Sequence, residues 1–298
     1  SSREDQILNN VFNTLLNSGF FEITTNSLTT NKLRKFSYWD NEKTVEMVNK
    51  LSDEHAILKQ KLLFTSLDSI RYNINRKQKN LKFFEFDKAY SLEEKEYKES
   101  SKIGIYITGL KQEEHFVNKP ENVSFFDVIN ITNKVLNIAR ISDFETKPKA
   151  DSKTLDMCVE IISNGVVLGE IGMVKKEILK TFEISQDVYH AEIDWPNLIM
   201  NFDKEFKFSE IPKFPQVQRD LSLVMNKDVK YNDVISVIDL NKNKILKKVS
   251  LYDIYEGDSI GSNRIAYSMR FILQDESKTL GEKAVSYTHL RAHETHTN

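Results

Sequence analysis

The stretch Lys213 to Val224, KFPQVQRDLSLV, leaves few choices for the fold around it. An X-Pro step holds Phe214 extended and Pro215 fixes its own φ, so the backbone runs straight into Arg219-Asp220 and then Leu221, Leu223 and Met225 at period two. That is a strand with a charged pair at its mouth. Some thirty residues on, Val249 to Gly257 (VSLYDIYEG) sets Val249, Leu251, Asp253 and Tyr255 against Ser250, Tyr252 and Ile254, and Glu256-Gly257 ends the run as a turn. Between them, Val234, Ile235, Val237 and Ile238 recur at helical spacing over Tyr231 to Leu240. Ile265 to Leu273 alternates again, and Thr279-Leu280 with Glu282 predicts a second helix. The order strand, helix, strand, strand, helix begins a split βαβ sandwich that one more strand would complete.

These residues resemble a known family. FPxVxRDLxLV, LYDIYEG, FILQD and a closing TL, in that order, are similar to the ferredoxin-like anticodon-binding domain that ends the β subunit of bacterial phenylalanyl-tRNA synthetases. Upstream, GFFEITTNSL at Gly19 to Leu28 and the run from Val48 through LKFFEFDKAY (Leu81 to Tyr90) resemble the noncatalytic class II synthetase-like module of the same subunit. Lys59 stands where the family usually has Arg, Asp87 where it has Gly, and Ala266 where it has Ser. The resemblance implies an α+β chain: a class II synthetase-like antiparallel sheet with helices, then a ferredoxin-like βαββα(β) anticodon-binding domain. The expected division is residues 1–202, a linker at 203–210, the second domain at 211–285 and a tail at 286–298.

Pattern reading fills in the first domain. An amphipathic helix is predicted over Ser1 to Ser18, a strand over Phe20 to Leu28, and a helix starting near Asp53 and running to Arg76. Strands follow at Leu81 to Tyr90, Ile103 to Leu110 and Met157 to Met173, the last folded into a hairpin at Asn164-Gly165. Phe125 to Ile138 reads as a helix with Phe126, Ile129, Val135 and Leu136 inward. Strands interrupted unevenly by helices favour an antiparallel sheet with helices on one side. The chain opens on a helix without a start Met, which suggests a piece of a longer subunit.

Composition excludes several classes. The 298 residues carry 42 Lys and Arg against 44 Asp and Glu, a net charge of −2, so RNA affinity must come from local patches. The lone Cys158 rules out a disulfide scaffold and suits a reducing cytoplasm. No apolar run approaches the roughly 18 residues a membrane span needs.

Class II adenylation needs arginines on the ATP phosphates and carboxylates on Mg²⁺, because charge builds on the phosphoryl oxygens. No such set is apparent. Glu85 and Asp87 share a face of the FEFD strand and read either as a metal pair or as solvated or core-edge groups. The basic run Arg71 to Lys82 reads as a solvated helix end or as a phosphate-facing or subunit-facing patch. Arg219 either points toward RNA or pairs with Asp220 or Glu256. Asp253 and Tyr255, on one strand face, offer an acceptor for base amino groups and a ring for stacking. By the family match these two meet the anticodon, with Ser222 and Ala266 bordering the site and Arg264 adding phosphate affinity.

The tail, SYTHLRAHETHTN, holds three of the chain's His residues but reads as foreign sequence rather than a metal site, and its replacement of the last strand would leave Ile272 near an exposed edge. The resemblance further implies a catalytic α partner in an α2β2 assembly, tRNA-Phe as ligand, ATP and Mg²⁺ for the whole enzyme with no catalytic or metal-binding residue in this stretch, and editing residues upstream of Ser1. The competing reading is an amino-acid-sensing domain of the ACT type, which shares the sandwich. Such sites favour Gly-rich strand-helix loops, and Met225 to Tyr231 has no Gly.

Overall fold

The structure is a computed structural model and describes residues 2–49, 52–112, 116, 119–202, 212–240 and 244–281. The chain divides into two units, Ser1–Phe206 and Lys207–Asn298. The expected linker at 203–210, the helix after Leu280 and the tail at 286–298 lie outside the described residues.

In the first unit, α1 (Arg3–Asn17) begins at a capping box in which Ser2 and Asp5 each accept from the other's backbone N–H. Its Ile7, Val11 and Leu15 are buried. The strands β1 (Phe21–Glu22), β2 (Leu28–Thr29) and β3 (Ile57–Leu58) are short and precede α2 (Leu62–Asn75). Next come β4 (Leu81–Glu93), β5 (Glu96–Thr108), α3 (Phe125–Ile138), β6 (Glu145–Pro148), β7 (Leu155–Ser163), β8 (Val166–Val174), α4 (Lys176–Thr181), β9 (Val188–Asp194) and α5 (Trp195–Met200). The sheet runs β1-β4-β5-β9-β8-β7-β6, antiparallel throughout except for the β1–β4 pair. The Asn164-Gly165 turn has φ of 50° and 76°, the primed geometry that an Asn-Gly hairpin predicts.

Three expectations need correction. Helices cover both faces of the sheet, not one: α1, α3 and α5 pack with Phe84, Ile103, Ile105 and Ile107, while α2 and α4 pack with Leu81, Phe83 and Tyr106 on the other face. Strands that carry large apolar groups at consecutive positions, such as Phe83-Phe84, are buried on both sides. The second helix starts at Leu62 rather than near Asp53, because the Leu62 N–H is capped by Glu192, 130 residues away in sequence. Phe126 points outward and is 72% exposed; Val128, Ile131, Val135 and Leu136 form the inward stripe of α3.

The predicted strand at Phe20 to Leu28 is also shorter than expected. After Glu22 the Ile23 N–H still reaches the Phe84 carbonyl, but the Thr25 N–H goes to the Glu85 carboxylate at 2.7 Å instead of a ladder carbonyl.

In the second unit, β10 (Val217–Asn226), α6 (Tyr231–Leu240), β11 (Leu246–Tyr255) and β12 (Arg264–Leu273) make a sheet ordered β10-β12-β11. Both outer strands run antiparallel to β12, so β10-α6-β11 is a βαβ unit split by the strand inserted between its two strands. Val234, Ile235 and Ile238 of α6 pack with Leu223, Met225, Leu251, Ile265, Tyr267 and Met269 on one face. Ile272 is not at an edge: it lies in the central strand, opposite Gln218 on one side and Lys248 on the other. Among the described residues no helix is long and apolar enough to cross a membrane.

Candidate nucleic-acid interface

Strand alternation in β10 sends Leu223 and Met225 under α6, with Leu221 on the same side, and presents Gln218, Asp220, Ser222, Val224 and Asn226, all exposed, on the opposite face. The register then assembles rows across that open face. Ser222, Ser268 and Asp253 form one row; Val224, Ala266 and Tyr255 form the next; Asn226 and Arg264 continue toward the end of the sheet. Five of the six sequence-derived candidates, Ser222, Asp253, Tyr255, Arg264 and Ala266, therefore share one surface.

Arg219 is placed elsewhere. Its partner in the register is Phe271, which packs with the α6 side, and its own Nη1 donates to the Gln218 carbonyl at 3.5 Å. The two carboxylates proposed to hold it have other cations: Arg270 takes Asp220, and Lys227 takes Glu256 at 2.7 Å.

Strict alternation would have put Asp253 and Tyr255 under the helix with Val249 and Leu251. A β-bulge prevents this: Leu251 pairs with Met269 and Asp253 with Ser268, the next residue of β12, so Tyr252 is extra and the pattern changes face. The bulge is what turns Asp253 and Tyr255 outward. Tyr255 is 46% exposed, and its hydroxyl is 2.9 Å from Ser259 Oγ. Its ring leans over Gly257, where a Cβ would stand 2.4 Å from the phenol oxygen, so any side chain there would push the ring aside. Ala266 is 4% exposed and forms the floor of its row.

Pattern reading missed Ser268 and Arg270, because β12 read only as an alternating strand. Arg270 makes a bidentate pair with Asp220, Nε to Oδ1 and Nη2 to Oδ2, both at 2.9 Å. That charge-assisted bond holds the Asp220 carboxyl below the ordinary aspartate range.

The first unit keeps its charges to itself. Lys59 is fully buried; its Nζ lies 2.7 Å from Asp87 Oδ2, 2.9 Å from Thr25 Oγ1 and 3.5 Å from Glu85 Oε1. Glu85 also accepts from Thr25 and Ser66. The Glu85–Asp87 pair is thus a core-edge ion cluster built on lysine, and Lys59 and Asp87, two of the three departures from the resemblance noted above, touch one another. A second network joins Glu170 to Lys61 and Lys149, and Lys149 to Glu160 at 2.9 Å. In the basic run, Arg71 pairs with Asp68 and Glu183, and Arg76 lies over the Tyr72 ring.

Comparison with known proteins fits this division. Residues 1–195 match the model of the phenylalanyl tRNA synthetase beta chain CLM domain, and residues 212–297 match the ferredoxin-fold anticodon binding domain. The chain belongs to the phenylalanyl-tRNA synthetase β-chain family. It is 31% identical to the phenylalanine–tRNA ligase β subunit of Bacteroides fragilis over 95% of this chain, and 29% identical to that of Bacillus subtilis over 91%. It spans 36% and 34% of those relatives' lengths, about a third. The match to the second domain takes in the histidine-rich tail, so it does not set that tail apart as foreign.

In fold, the chain is similar to the pyrrolysyl-tRNA synthetase of Desulfitobacterium hafniense, with a TM-score of 0.53 at 15% identity, covering 66% of this chain and 68% of that one. On this synthetase-like fold, the side chains of the first unit do not fit ATP and Mg²⁺. The carboxylates on the α2 side of the sheet are already engaged, Glu170 by two lysines and Glu192 by the Leu62 N–H. No group of three or more metal-ligating side chains converges among the described residues.

Proposed function

We propose that this chain is the noncatalytic C-terminal part of a phenylalanine–tRNA ligase β subunit, working in the cytoplasm. Its first unit braces a catalytic α subunit in an α2β2 assembly, and its second holds the anticodon of tRNA-Phe while phenylalanine is activated with ATP and Mg²⁺ and transferred at a site on α. The observation that carries this reading is the open sheet face of the second unit. Its Ser222–Ser268–Asp253 row offers hydrogen bonds to base edges, and Tyr255 beside it offers a ring to an unpaired base. Arg264, at the end of that face, suits a phosphate. The amino-acid-sensor alternative has less support, since the turn between β10 and α6 carries no glycine and its Val229 carbonyl is taken up by the Tyr267 hydroxyl of β12 at 3.1 Å.

The test is fluorescence anisotropy of labelled tRNA-Phe with the whole chain over a salt series, beside an Asp253→Ala/Tyr255→Ala double variant. Salt-dependent binding, weakened by the double variant by about 1–3 kcal/mol per stacked base, is expected. A folded chain that ignores the tRNA and binds free phenylalanine would overturn the reading.

A further inference from the structure

Beyond the residues that the family pattern marks, the open face of the second unit holds a second aromatic group. The bulge in β11 that turns Asp253 outward leaves Tyr252 as its extra residue, 54% exposed. The guanidinium carbon of Arg270 lies 5.1 Å from the centroid of the Tyr252 ring. The same guanidinium is gripped edge-on by Asp220 through Nε and Nη2. Such a grip immobilises the plane of the arginine and engages its charge, so its flat surface, more than its charge, is what it presents.

The register places this assembly. Asp220, Arg270 and Ser250 form the row on one side of Ser222–Ser268–Asp253, and Val224, Ala266 and Tyr255 the row on the other. Ala266 and Arg270 are four residues apart on β12, about 13 Å at the usual rise of a strand. That separation suits two bases, each on its own platform, with the hydroxyls and carboxylate of the middle row between them.

We infer that Tyr252 and Arg270 form a second stacking platform for an unpaired base of the RNA that lies on this face; the inference rests on the anticodon-binding reading. Arg guanidinium planes and aromatic rings are the two surfaces on which proteins stack splayed-out bases, and each such stack is tolerant of base identity. The Asp220 contact is a positioning one, holding Arg270 over Tyr252.

The experiment uses a 17-nucleotide tRNA-Phe anticodon stem-loop carrying 2-aminopurine at one loop position at a time, titrated with the whole chain and with folded Tyr252→Leu, Tyr252→Phe, Arg270→Lys and Tyr255→Leu variants. The wild-type chain should quench 2-aminopurine at two loop positions. Tyr252→Leu should weaken binding about 10-fold and abolish one quench, Tyr255→Leu should abolish the other, and Tyr252→Phe should behave as wild type. Arg270→Lys should lose the Tyr252-dependent quench with the salt slope unchanged. Unaltered binding and quenching in Tyr252→Leu, with loss in Tyr255→Leu, overturns the second platform and leaves the anticodon reading standing. No stem-loop binding by the wild-type chain overturns both.

Discussion

The two units treat polar side chains in opposite ways. In the first, charged groups are drawn into the protein and spent on each other: Lys59 on Glu85 and Asp87, Lys61 and Lys149 on Glu170, Glu192 on a helix N-terminus. In the second, one sheet face carries hydroxyls, carboxylates, arginines and tyrosines with no helix over it among the described residues. Groups already satisfied within a fold have little left to offer a substrate, whereas an open sheet face can recognise a partner. Under the proposed function, the contrast matches a synthetase-like unit that braces and a small sandwich that meets the ligand.

The sharpest way to break this comparison is to remove the cation from the buried cluster. Lys59→Ala leaves Glu85, only 1% exposed, without its charge partner. Loss of one member of a buried pair costs about 3–5 kcal/mol. Both tryptophans, Trp39 and Trp195, lie in the first unit, so their fluorescence in a urea titration reads that unit alone. RNA binding by the second unit should persist in the variant. A loss below about 1 kcal/mol would show that the buried charges are incidental, and the contrast between the units would lose its meaning.

A smaller effect comes from His190, also in the first unit. It is buried, stacks on Tyr106 at 4.6 Å, and its Nδ1 must carry the proton because it faces the Ile105 carbonyl at 3.1 Å. Nε2 has no hydrogen-bond partner among the described residues, and burial pushes the imidazole down to about 4. An unfolded histidine titrates near 6.5, so between those values the unfolded chain binds the extra proton. Stability is therefore full above about pH 6.5 and falls as pH drops toward 4, by about 3 kcal/mol from this residue. Glu192, 3.9 Å away, acts in the opposite sense: burial raises its carboxyl, and its contribution is lost as pH rises. Comparing wild type with His190→Gln in urea at pH 7 and pH 5 isolates the histidine. If the two lose equal stability on acidification, His190 is not the group responsible.

The same contrast governs what could be seen without coordinates. Local signals were legible: the amphipathic helix α1, the Asn164-Gly165 turn, the spans of α3 and α6, and the order of strands in the second unit. What escaped depended on partners distant in sequence. The start of α2 is set by Glu192, and the end of β1 by Glu85, so no nearby residue announces either. Lys61 and Glu170 meet across more than a hundred residues. In the second unit, alternation put Asp253 and Tyr255 together but on the face of Leu251; a one-residue bulge, invisible to a period-two pattern, moved them. Arg219 could be read toward RNA or toward Asp220 or Glu256, and the register instead puts it on the helix side.

The smallest expected effect tests how the open face uses charge. Arg264 is exposed at the end of that face, opposite Asn226, while the nearby Lys227 is already paired with Glu256. With a chain charge of −2 there is no general pull on RNA, so one arginine on this face should be visible in the salt dependence. Arg264→Ala should reduce the slope of log K against log salt by about 1 and weaken wild-type and base-substituted anticodon loops by the same factor. Arg264→Lys should restore both. A loss confined to one loop sequence would instead make Arg264 a reader of bases, and the division of this face into reading rows and a phosphate-holding end would have to be redrawn.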